Sequence, residues 1–290
     1  MNFLSLFFFF QFLFCSYDIF IIPNNAYELS TNNSVSIKNS MLSLSNPAYL
    51  RFENSKFDVS YINFPASISY SSFVMGKQFL NSNFAIKIQN LFYGKLIDGE
   101  NNNSFYANDL GLSMAYNISI KRKLYIGSTL KFLHSQIESF HSDLIVFDLG
   151  CMTHLKTKKI TLGLSLENFG FILKQYANSK NEIPKRFRFS IDYFLPYIGL
   201  AMNNNLIYNY NNNNWMGTAS ISHSFNKMTF ILSNSLNRNN LLGDNTNSII
   251  FSNFGFGCRL PIINNNLFEF GIHNMGVLGI AVGMSYRKYM

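Results

Sequence analysis

From Phe57 almost to its end, the chain places an apolar residue at every second position. Leu110, Leu112, Met114, Tyr116, Ile118 and Ile120 are separated by Gly111, Ser113, Ala115, Asn117 and Ser119. Ile160 to Leu166, Phe187 to Tyr193 and Leu278 to Tyr286 repeat the pattern. Successive side chains of a strand point to opposite faces, whereas a helix repeats near 3.6, so each window reads as a strand with two chemically different faces. Fourteen such segments are found, at 57–63, 66–74, 83–92, 110–120, 124–135, 144–155, 160–169, 185–194, 197–210, 215–225, 228–236, 248–260, 267–274 and 278–287. Turn signals lie between them, among them Asp98-Gly99, Asn178 to Pro184, Asn211 to Asn214 and Asn264 to Asn266.

Alternation alone allows either a soluble β-sandwich or a membrane barrel, and the polar face separates them. In a soluble sheet that face meets bulk water and carries Lys, Glu and Arg. Here it is Gly, Ala, Ser, Thr and Asn, small residues that fit a crowded barrel interior. The other face is Leu, Ile, Phe, Tyr and Met in nearly every segment. One sandwich core would have to hide all of these faces, while a barrel leaves them in lipid. Most segments have the roughly 9–11 residues that a tilted strand needs to cross a bilayer. Composition agrees: 48% of residues are hydrophobic and 13% charged, against about 25% charged in an average soluble domain. Aromatics gather near segment ends, as in Phe92-Tyr93, Tyr193-Phe194 and Tyr208 to Trp215, as interfacial girdles do. The expectation is an all-β, transmembrane antiparallel barrel of about 14 strands in the bacterial outer membrane, in contact with its lipid.

The only long apolar run is N-terminal. Phe3 to Phe14 is broken only by Ser5 and Gln11, a length suited to a secretory signal and short for a membrane helix. Residues 1–16 are therefore read as an export signal. The alternative, an anchor running on through Ile22, would bury Asp18 in lipid at high cost.

Lys and Arg exceed Asp and Glu by 23 to 15, a net charge of +8. The basic residues are scattered, many of them at turns (Lys121-Arg122-Lys123, Lys156 to Lys159, Arg287-Lys288), so no nucleic-acid surface is expected. Contact with anionic membrane head groups is one use open to the excess.

No nucleophile elbow, phosphate-binding loop or metalloprotease motif occurs. Cys151 and Cys258 lie far apart, outside any Cys-x-x-Cys pair. His134, His141, His154, His223 and His273 are scattered singly. Asp148, Glu167 and Asp192 fall on polar faces, where Lys131, Arg186 or Arg188 can pair with them as lumen ion pairs. No catalytic residue, cofactor site or metal site is assigned, and no enzyme activity is expected.

One stretch ahead of the strands carries more information. Ser36 to Leu50 reads SIKNSMLSLSNPAYL, with Asn46-Pro47-Ala48 just before the first strand. This placement resembles the N-terminal segment of FadL-like outer-membrane barrels, which pass hydrophobic compounds, and of the related PorV/PorQ family of type IX secretion. Phe57 to Phe73, Leu164 to Tyr176 and above all LKFLHSQIESFHSDLIVFDLGCMTH (Leu130 to His154) are similar to that family. The resemblance implies a 14-stranded barrel (57–290) and an N-terminal segment (17–56) that plugs it, with Asn46, Pro47 and Ala48 as the plug motif. It also implies a non-enzymatic part in the type IX attachment complex, tethering a PorZ-like surface protein near a PorU-like sortase, with a PorV-like protein beside them. The alternatives are a FadL-like channel for hydrophobic compounds and a PorV-like cargo shuttle.

Overall fold

The computed structural model describes residues 17–36, 44–52, 55–97, 103–121, 123–155, 159–176, 181–235, 253–262 and 266–289. The expected export signal, residues 1–16, lies outside the described residues.

Fourteen strands close into one barrel in which every neighbour is antiparallel. They are β1 (Lys56–Asn63), β2 (Ser69–Phe79), β3 (Ser82–Ile97), β4 (Ser104–Lys121), β5 (Leu124–Ile137), β6 (Phe140–His154) and β7 (Ile160–Lys174). The second half comprises β8 (Arg186–Leu195), β9 (Leu200–Asn209), β10 (Asn214–Phe225), β11 (Met228–Ser235), β12 (Phe254–Pro261), β13 (Leu267–Asn274) and β14 (Ile280–Tyr289). Each strand pairs with the next in sequence, and β1 pairs with β14 from Lys56↔Tyr289 to Asn63↔Val282, leaving no free edge. All 14 expected segments appear as strands. Of the strand expected at 248–260, residues 248–252 lie outside the described residues, Asn253 is a turn, and β12 begins at Phe254.

The alternation resolves as the composition requires. Leu110, Leu112, Met114 and Tyr116 of β4 point outward, 38–48% exposed, while Ser113, Ala115 and Asn117 face the lumen and are buried. The same division runs round the barrel, with Val59, Phe73, Ile88, Leu130, Leu206, Leu232 and Met284 exposed. Such a continuous apolar belt greatly exceeds the patches a water-soluble monomer exposes. It is the lipid-facing surface of an outer-membrane-type barrel.

The barrel is uneven in height. β3 to β7 have 14–18 residues, the other strands 8–12. The additional length of β3 and β7 is hidden in the sequence because strict alternation breaks there. β3 carries a register shift between Phe92 and Lys95, where Gly94 has φ +76° and lies against the Ser67 backbone. β7 carries a bulge that sets Glu167 and Asn168 against Asp148 alone, with Asn168 at φ +62°. Both Glu167 and Asn168 turn into the lumen, so the apolar rhythm slips by one residue.

The two ends differ as well. At one, strands are joined by two to five residues and both ends of the barrel sequence are found; this short-turn end is the periplasmic one. At the other, the connections reach 11 residues after β7 and 18 after β11. This is the loop end.

Candidate functional site

The lumen is occupied by the protein's own N-terminal segment. Residues 17–36 and 44–52 lie inside the barrel, and Tyr17, Tyr27, Leu29, Ala48, Tyr49 and Leu50 are buried. Nothing in an alternating pattern requires this, since small polar wall residues fit water as well as a protein segment. The structure shows two footprints on the wall.

The first is centred on Asn46, Pro47 and Ala48, all buried on β4 to β7. Pro47–Tyr49 form one 3-10 turn. Pro fixes φ for the first position of that turn and holds the residue before it extended, as Asn46 is at φ −130°, ψ 98°. The Asn46 side-chain oxygen accepts from Ala48 N–H at 3.1 Å, and its amide donates to the Leu164 carbonyl at 3.0 Å. Asn117 of β4 donates to the carbonyls of Ala48 (3.1 Å) and Leu50 (2.7 Å). Tyr49 reaches Ser190 of β8 through its hydroxyl, at 3.0 Å. The approach is close enough to require glycine: a Cβ at Gly127 would stand 2.5 Å from the Pro47 carbonyl carbon and 2.7 Å from Ala48 N.

The second footprint is a short helix, α1 (Ala26–Ser30), lying on β11 to β14 and β1. Asn25 caps it by accepting from Glu28 N–H at 2.9 Å. Ala26 N–H donates to Ser285 Oγ at 2.8 Å, and the Ser233 hydroxyl donates to the Ser30 carbonyl at 2.7 Å. The wall is again hollowed: a Cβ at Gly271 would collide with the Ala26 carbonyl oxygen. Inside α1, Glu28 is 1% exposed, and Asn24 donates to it twice, from backbone and side chain, at 2.9 Å. Burial pushes its carboxyl above the usual carboxylate range, against those hydrogen bonds.

Above this segment, on the loop side, a cup of about 800 Å³ is lined jointly by residues 18–33 and the wall of β8 to β13. Ile21, Ile22, Phe64, Ile207, Met216 and Met275 give it apolar surface, set among asparagines such as Asn32, Asn33, Asn209 and Asn214. Arg186 also lines it; its side chain is buried and its Nε has no hydrogen-bond partner among the described residues.

Several other lumen charges form ion pairs. Lys131 meets Asp148 at 2.5 Å and donates to Asn168 at 2.9 Å, while Asp148 accepts from Asn168 N–H at 2.7 Å, fixing the β7 bulge. Arg188 grips Glu167 through Nε at 2.6 Å and Nη2 at 3.2 Å. Arg259 and Arg287 share Glu269, and Arg287 also meets Asp58 at 3.3 Å. Of the pairs expected from sequence, Lys131–Asp148 and Arg188–Glu167 form. Asp192 instead accepts from the Asn203 amide. The histidines require a correction: His134 and His141 meet across the β5–β6 hairpin with ring centres 5.5 Å apart, and His134 lies 2.7 Å from Asp143. Antiparallel pairing brings them together across only a two-residue turn, which a search for spacing motifs does not see. Among the described residues, no three His, Cys, Asp or Glu form a group able to hold a metal ion. The cup, α1 and Arg186 Nε have no periodic or motif signature in the sequence.

No family model matches the chain, and no curated protein matches it. Solved structures do. The toluene transporter TodX of Pseudomonas putida superposes with a TM-score of 0.66 at 10% identity, covering 92% of this chain and 98% of that one. The toluene transporter TbuX of Ralstonia pickettii gives 0.61 at 9% identity, with 92% and 98% covered. A FadL homologue of Pseudomonas aeruginosa gives 0.54 at 8%, with the same coverage. At these identities the likeness is one of fold: a FadL-like, 14-stranded outer-membrane barrel.

Proposed function

We propose that this protein is an outer-membrane channel for small hydrophobic compounds, with its N-terminal segment as the hatch. The observation that carries the reading is the cup. It opens on the loop side, is largely apolar, and is floored by residues 18–33 rather than by the wall. A compound arriving from outside is held there, in an apolar pocket of the size that binds small molecules. It passes on only when the segment below shifts. The unpaired Arg186 Nε adds a donor for the polar end of such a compound. The fold shared with two toluene transporters supports monoaromatic hydrocarbons as the first class to try. The test is uptake of labelled toluene and labelled fatty acid by cells with and without the protein. Faster uptake of either is the expected result; identical rates for both compounds overturn the reading.

A second reading, a tether in a type IX attachment complex, is favoured by where the sequence resemblance falls. Leu130 to His154 covers most of the β5–β6 hairpin, in the taller half of the barrel. That hairpin carries exposed Glu138 and the His134–His141 pair toward the loop end, where a PorZ-like partner would bind. PorU- and PorV-like proteins would be its neighbours. Deleting the protein should then release the surface partner into the medium, and a partner that stays cell-bound excludes the tether.

A further inference from the structure

The charge of this barrel is divided between its ends, and the division goes beyond what a channel needs. The connections of the short-turn end, residues 80–81, 122–123, 155–159, 196–199, 226–227 and 262–266, contain no Asp or Glu. The described carboxylates nearest that end, Asp58, Asp192 and Glu269, are buried in the lumen. Exposed lysines stand there instead. Lys77 of β2, Lys123 before β5, Lys227 before β11 and Lys288 of β14 are exposed, and Lys159 before β7 is half-exposed. They occur at intervals round the whole circumference. The loop-end connections, by contrast, carry Asp98, Glu100, Glu138, Glu182 and Asp244.

The short turns also present large apolar side chains where a turn in water would be polar. Leu80 is 95% exposed and Tyr197 90%, with Phe79, Ile198 and Phe225 beside them. Two of the lysines sit over these aromatics: Lys77 Nζ lies 5.4 Å from the Phe79 ring centre, and Lys159 Nζ 5.4 Å from that of Tyr197. Apolar anchors interleaved with lysines, with no exposed carboxylate beside them among the described residues, form the surface that settles into an anionic lipid interface.

We propose that the short-turn rim is a docking ring for anionic phospholipid head groups of the periplasmic leaflet, with Leu80, Phe79 and Tyr197 at the acyl boundary and Lys77, Lys123, Lys159, Lys227 and Lys288 on the phosphates. The inference rests on the membrane-barrel fold and is independent of what the lumen carries. It fixes the barrel's depth and gives it a lipid preference.

The test is native mass spectrometry of the full-length protein from non-ionic detergent, offered equal phosphatidylglycerol and phosphatidylethanolamine at low salt. A lysine near an anionic surface contributes about fivefold in affinity. Wild type should therefore retain phosphatidylglycerol about fivefold or more over phosphatidylethanolamine. The preference should fall to parity in K77Q/K123Q/K159Q/K227N/K288Q and persist in the loop-end control K95Q/K174Q. Should the fivefold variant fail to fold, K123Q/K227N alters only connections, Asn being suited to the φ +71° of Lys227. That double variant should lower the preference several-fold, and added salt should do the same in wild type. Equal retention of the two lipids overturns the proposal, as does a preference unmoved by the lysine variants. So does tighter binding of soluble polyglutamate than of phosphatidylglycerol vesicles, which would assign the ring to an acidic protein.

Discussion

The two footprints of the N-terminal segment solve the same problem by different means. Around Asn46-Pro47-Ala48, side-chain amides of Asn46 and Asn117 hold backbone carbonyls across the gap between segment and wall. At α1 the polarity is partly reversed: wall hydroxyls of Ser285 and Ser233 serve the helix backbone. Both depend on wall glycines, Gly127 and Gly271, that leave room for another backbone. The first is a fixed bend built by Pro and Asn. The second is a single helical turn whose fit comes mainly from the surface under it. This difference predicts that the two can be released separately, and that α1 is the part free to move under the cup.

The largest effect should come from locking the region between them. Ser34 Oγ and Thr218 Oγ1 are 3.0 Å apart, so oxidised S34C/T218C would join the segment to β10. If the segment gates the cup, oxidised S34C/T218C should lose uptake of hydrophobic compounds and regain it with reductant. Uptake equal in both redox states would mean that the route bypasses the segment.

Next come the glycines. G127V forces a side chain into the Pro47–Ala48 backbone, and overpacking of this kind costs about 1–3 kcal/mol. Protease should then reach residues 44–52 while the barrel keeps its compact, unheated gel mobility. G271V should expose α1 instead. If either variant releases both footprints, the separation argued above is broken, and the segment moves as one unit.

N117A removes two donors and leaves the Ala48 and Leu50 carbonyls buried and under-satisfied, at about 1–3 kcal/mol. It should loosen the first footprint less than G127V and leave α1 in place, which hydrogen exchange at residues 26–30 would report. Enhanced exchange there would couple the two sites through the wall.

The same contrast explains what could be read from sequence. The wall was legible because burial on one face and lipid on the other impose period two on every strand, and all 14 followed. At the first footprint, Asn-Pro-Ala has a local signature, since Pro's fixed φ and Asn's capping amide act within three residues. The second has none. Ala26–Ser30 is too short for a helical period, and Gly271 reads the same whether it faces water or a helix. Arg186 and Arg188 alternate identically on β8, yet Arg188 finds Glu167 and Arg186 Nε finds no partner. That outcome is set by the β7 bulge, which turns Glu167 and Asn168 together into the lumen, and bulges leave no periodic trace. Long-range partners in the footprints, such as Asn46 with Leu164 and Ala26 with Ser285, are fixed by barrel closure rather than by local sequence.

The smallest effect should come from Glu28, and it sharpens the comparison most. Its carboxyl is buried within α1, with Oε2 accepting from Asn24 N–H and Nδ2 and Oε1 lacking a partner. Burial raises its folded-state pKa, so the docked helix holds a proton that the released, water-exposed one gives up. The docked state binds more protons, and docking weakens as pH rises from the ordinary glutamate value through the raised one. E28Q keeps an acceptor for Asn24 and removes the titration. It should leave the neutral-form stability within about 1 kcal/mol, a far milder change than N117A, and flatten the pH dependence. Thermal unfolding of both proteins in one detergent between pH 5 and 8 measures this. Parallel pH profiles for wild type and E28Q would place the charge of Glu28 elsewhere in the lumen's network, beside Lys87 and Arg188, and remove α1 as the pH-sensitive footprint.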